Sequence, residues 1–240
     1  MLFEVDEKVV LGPLLRESVE FERFYKEERE KKIGLIWWFR DFDMLEGIEA
    51  YVIVFESAIY YRKSPTSPED AHTMAHEIMH LVRYQESKFL EIKYTQLQHE
   101  YLAAKLASML EDPIIDSFLQ KNYNFDLRIP YRYAIDYCRK NIKTEATDDL
   151  SRLINGIDLA NYMISWKLID IDDMDAQNEW SNYLRWYEKL RPYSYEIANQ
   201  IVRILWVHGG AHGAETIDKQ KRVVTAMINL YPQLRNMISI

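Results

Sequence analysis

The sequence predicts an α+β fold: a small antiparallel meander packed on one motif-bearing helix, followed by a mainly helical C-terminal half. Three observations predict it. Short runs of β-branched and aromatic residues are confined to positions 33–61, helical periodicity governs nearly everything after position 67, and an apolar fraction of 48% over 240 residues supplies a core without covalent staples.

Taken in order, apolar residues at Leu15, Val19, Phe21, Phe24 and Tyr25 give a helix from about Leu14 to Lys32. Its mixed run Lys26-Glu27-Glu28-Arg29-Glu30-Lys31-Lys32 reads as a solvated face of alternating charge. Ile33 to Phe39, Ala50 to Phe55 and Ala58 to Tyr61 are strand-like, broken by polar segments, and form the meander. Ser64-Pro65-Thr66-Ser67-Pro68-Glu69-Asp70 is a turn and then a helix start, with Ser67 as N-cap, Pro68 at N1, and Glu69 and Asp70 placing acid in the first turn. The helix continues through Ala71, Met74, Ala75, Ile78, Met79 and Val82, which recur at helical spacing and bury it against a core.

A second helix is expected from about Thr95 to Leu110. Leu102, Leu106, Met109 and Leu110 form its large face, and Ala103, Ala104 and Ala107 a flank where another backbone can come close. Asp112-Pro113 then reads as a fresh start, Asp112 capping and Pro113 at N1. Further helices are expected near 146–166, 175–190, 193–207 and 215–230. Asn, Asp and Pro interrupt the pattern around Asn122 to Tyr131, dividing a catalytic region (1–122) from a helical region (123–240), with both able to share one compact domain.

Composition excludes several classes of function. The lone cysteine, Cys138, forbids an internal disulfide or a cysteine-rich zinc ribbon and is expected as a small buried hydrophobe in a helix. A net charge of −8, spread along the chain, disfavours binding to nucleic-acid phosphates. The N-terminus has acids where a secretory signal has bases, and no stretch approaches a membrane span, so a cytoplasmic protein with no membrane or nucleic-acid partner is expected.

Chemistry enters at His76-Glu77-Ile78-Met79-His80. Residues four apart on a helix lie on one face, so both imidazoles can reach one metal ion while Glu77 stands beside the open coordination position. A zinc ion held in this way lowers the pKa of its water toward about 7, and the adjacent glutamate takes the proton. His76 and His80 are therefore candidate ligands and Glu77 the candidate general base.

A third protein ligand is expected downstream. If the motif helix ends near Tyr84 and the chain returns antiparallel from about Thr95, Glu100 lies about one turn into the returning helix, opposite His80. It is the first choice. Glu111 and Asp112 are second choices, available if the two helices cross steeply, although Asp112 has a competing task as N-cap. His72, one turn before His76, is expected either exposed or as a supporting or proton-relay group. His208 and His212 flank Gly209-Gly210-Ala211, where a C-cap loop with Gly209 left-handed, or a donor to a transition-state oxyanion, is expected.

The pentapeptide, the strands before it and Glu100 twenty residues after His80 resemble the gluzincin branch of the zincin metallopeptidases, and are most similar to the IrrE/ImmA-like cytosolic zincins. The resemblance covers about Ile33 to Leu110. It implies zinc held by His76, His80 and Glu100, water polarised by Glu77, and an edge strand, here Ala58 to Tyr61, that binds an extended peptide. The chain departs from that pattern at Met79, where a glycine is common, and at Ala104, where an aspartate often supports the ligand glutamate. The expected function is a zinc-dependent metallopeptidase acting on a protein or peptide substrate; the alternative is a zincin-like binding or regulatory module that does not cleave.

Overall fold

The computed structural model describes residues 2–44, 48–169 and 171–240, with positions 68 and 69 described by their backbone alone, so the expected acidic side chain of Glu69 lies outside the described residues. The chain divides into two compact units: Met1–Lys88 with Phe118–Pro130, and Phe89–Ser117 with Tyr131–Ile240.

The first unit begins with β1 (Leu2–Glu4), α1 (Glu7–Glu17) and α2 (Val19–Phe24), which runs on through a π-helical turn (Tyr25–Arg29) into α3 (Glu30–Lys32). The single helix expected here is thus two. Ser18 adopts extended backbone, ends α1, and accepts from the Phe21 amide to cap α2. The charged run is not wholly solvated either. Arg29 is buried and grips Glu7 of α1 through two nitrogens, at 2.8 and 2.6 Å, while buried Glu28 accepts from the Tyr123 hydroxyl at 2.8 Å.

β2 (Trp37–Asp41), β3 (Ala50–Ile53) and β4 (Ala58–Tyr61) follow, then α4 (Pro68–Gln85). The sheet has the order β1-β2-β4-β3, with β2 parallel to β4 and the other pairs antiparallel. This corrects the expected meander: β3 pairs beyond β4, so β2 meets β4 directly, and the short β1 adds a fourth strand. It also corrects the expected edge. β4 is paired on both sides, and Tyr60 stacks in register between Tyr51 and Phe39, with ring centroids 4.8 and 5.2 Å away. The opposite face sends Trp38, Ile59 and Tyr61 into the core. α4 packs against β3, α1 and α2.

The second unit contains the β5 (Lys93–Tyr94) and β6 (Ile238–Ser239) pair and most of α5 (Glu100–Tyr123), whose last turns belong to the first unit. It continues with α6 (Arg128–Asn141) from Tyr131 onward, then α7 (Asp149–Leu168), α8 (Met174–Leu190), α9 (Pro192–His208) and α10 (Ile217–Leu230). α7 and α9 pack most closely: a Cβ on Gly156 would lie 2.4 Å from Ile197 Cγ2. Two expectations fail here. α6 was masked in the sequence by Asn, Asp and Pro, yet Pro130 sits in its first turn, where a proline withholds no helical hydrogen bond. α5 runs unbroken through Pro113, so Asp112 caps nothing. Among the described residues, no helix is long and apolar enough to cross a membrane.

Candidate metal centre

In the first unit, α4 starts as its sequence dictates. Ser67 accepts from the Asp70 amide at 3.2 Å, and Asp70 returns the contact by accepting from the Ser67 amide at 2.9 Å, a reciprocal capping box. Ala71, Met74, Ala75, Ile78, Met79 and Val82 are all buried, and packing on that side fixes the rotation of the helix. Fixing it lines up His72, His76 and His80 as one stripe. Successive ring centroids are 5.8 and 5.0 Å apart, the spacing of one helical turn. Glu77 is half-buried beside His76. His72 is buried against Phe125, centroids 6.1 Å apart, so the exposed reading of this residue does not hold.

In the second unit, α5 carries Glu111, Asp112 and Asp116, each anchored by a different helix. Glu111 is buried and accepts from Gln220 of α10, whose own oxygen accepts from the Leu90 amide at 2.9 Å. Asp112 accepts from Asn161 of α7 at 3.0 Å, and Asp116 from Tyr131 of α6 at 2.8 Å. Burial first, and the Asp116 charge second, raise the Tyr131 phenol well above its ordinary pKa, so it stays protonated and donates.

On α4 the structure places both motif histidines and His72 on one face, as a single group. On α5, Glu100 is exposed at the first position, whereas Glu111 is buried and Asp112 half-buried. At about 1.5 Å per residue, Glu100 stands about 18 Å along the helix from Asp112. Ala104 is exposed and Ala103 buried in the core of the second unit. Among the described residues, His208 and His212 join no such group: His208 ends α9 half-buried, and His212 is exposed in the loop that follows. In that loop Gly209 is right-handed, and the positive φ falls on Gly210 and Gly213, at 90° and 78°.

Asp116 was not among the sequence candidates. The signal that could have found it is the i, i+4 spacing of Asp112 and Asp116, which mirrors that of the histidines once α5 is recognised as continuous. No protein-family model matches the chain, and comparison with curated proteins and with solved structures likewise gives no match. Function is therefore argued from the donor set alone. Two imidazoles on one helix face suit a borderline divalent cation, zinc first among them.

Proposed function

We propose that this chain is a zinc-dependent hydrolase of peptide bonds, with His76 and His80 as metal ligands and Glu77 as general base. The observation that carries the reading is the stripe on α4, where the His76 and His80 rings lie 5.0 Å apart and a glutamate directly follows the first histidine. When bound there, zinc acidifies a water toward about pKa 7 and polarises the carbonyl under attack. Glu77 accepts the proton from that water and delivers it to the leaving amine. Of the carboxylates offered as third ligand, Asp112 is taken over Glu100 because Asn161 donates to it and holds it in one orientation, as ligand carboxylates require, while Glu100 is exposed. A peptide is favoured over other amides by β3. Among the described strands β3 pairs only with β4, so its other edge can take up an extended chain beside the helix that bears Glu77.

The test is Glu77→Gln in the zinc-loaded protein. Its zinc content and melting temperature are expected to match wild type, while cleavage of a peptide library falls by roughly 10² or more, the scale for loss of a positioned base. Wild-type protein that retains no stoichiometric metal, or a variant that cleaves at the wild-type rate, overturns the reading.

A further inference from the structure

The first unit has an open pocket of about 280 Å³ whose lining includes Ser18, Glu20, His72, Asn124, Phe125 and Asp126. We propose that this cavity binds the cationic side chain of a lysine or arginine in a peptide. The proposed hydrolase supplies only its consequence, a preference for cleavage beside a basic residue.

Size, charge and position converge on that occupant. Ligand pockets for whole small molecules start at roughly 300 Å³, so this cavity suits one long side chain rather than a cofactor. Both carboxylates of its lining, Glu20 and Asp126, are acceptors for a cation, and among the described residues no lysine or arginine lines it. Asp126 stays ionised because Arg128, 2.6 Å away, holds its carboxyl below the usual range, and that pair leaves Glu20 as the charge that decides sign. Glu20 is exposed in the first turn of α2 and is oriented by the Ser18 hydroxyl, which donates to it at 3.1 Å. The Phe125 ring supplies an apolar surface along which the methylenes of a lysine or arginine can lie while the head reaches the rim. Asn124, left-handed at φ 63°, turns the chain between α5 and Phe125; asparagine tolerates that conformation better than most residues. His72 forms the wall nearest the candidate centre, its ring 5.8 Å from that of His76. A side chain lodged here belongs to a residue beside the bond that the centre would cleave.

The experiment titrates the capped peptides acetyl-Ala-Arg-Ala-amide and acetyl-Ala-Leu-Ala-amide into zinc-loaded Glu77→Gln protein, which separates binding from turnover. The arginine peptide is expected to bind at least tenfold tighter. Glu20→Gln in the same background should reduce that preference and Glu20→Lys should abolish it, both without loss of fold because the residue is exposed. Equal affinities for the two peptides, or a preference that survives Glu20→Lys, overturns the proposal. A library digest with Glu77 intact distinguishes its failure from that of the hydrolase. Selective binding without any cleavage leaves the pocket standing and removes the hydrolase; cleavage with no basic preference does the reverse.

Discussion

α4 and α5 each carry a row of side chains able to ligate a metal, and they hold them in opposite ways. On α4 the histidine stripe is placed by what is close in sequence: a capping box at Ser67 and Asp70 starts the helix, and buried residues at helical spacing fix its rotation. On α5 each carboxylate is held by a residue remote in sequence, Glu111 by Gln220, Asp112 by Asn161 and Asp116 by Tyr131. A local signal can position imidazoles. Buried carboxylates need partners from several helices, because an ionised group withdrawn from water without a donor is costly.

The comparison is most easily broken at the metal. Asp112→Ala should weaken zinc binding by more than the roughly 10–100-fold that follows loss of a supporting partner, and Asn161→Ala by an amount within that range. Glu100→Ala should leave affinity unchanged. Glu111→Ala should lower stability, since it removes one acceptor of the buried Gln220 amide. Competition for zinc with a chromophoric chelator measures the first three, and the denaturant midpoint the fourth. If Glu100→Ala is the damaging change, the third ligand returns to the start of α5, and the role given to its middle is wrong.

A second test asks whether α5 is one helix. A proline inside a helix costs about 3 kcal/mol, partly offset by about 1 kcal/mol from restricting the unfolded chain. Pro113→Ala should therefore stabilise the protein by about 1–2 kcal/mol, read from the denaturant midpoint at constant slope. If Pro113 instead began a separate helix, it would occupy the position that favours proline, and the same change would lower the midpoint.

These tests bear on what the sequence could show. The start of α4, its buried face and the alignment of His76 with His80 were legible, because each is written within a few residues. Strand order was not: nothing in Ala58 to Tyr61 tells whether its second neighbour is Trp37–Asp41 or solvent, and only the pairing of β3 beyond β4 puts it inside the sheet. The continuity of α5 was missed for a related reason. Asp112-Pro113 carries the local signature of a helix start, and the wider packing of α5 overrides it. His72 shows the same limit, since its burial depends on Phe125, which lies beyond the end of α5.

The smallest expected effect concerns α4, whose dependence on local signals can be measured at Ser67. Its hydroxyl accepts from the Asp70 amide, but the reciprocal half of the box is stronger: the Asp70 carboxylate accepts from both the Thr66 and Ser67 amides, at 2.8 and 2.9 Å. Ser67→Ala removes one neutral contact and leaves those two in place, so it should cost about 1 kcal/mol or less, with zinc affinity unchanged. Asp70→Ala removes both charge-assisted contacts and should cost more. The order matters more than the size. If Ser67→Ala proves the costlier change, or if either variant loosens zinc without lowering the unfolding midpoint, the start of α4 is not merely holding a preformed stripe. The histidines would then depend, as the carboxylates of α5 do, on contacts beyond their own helix.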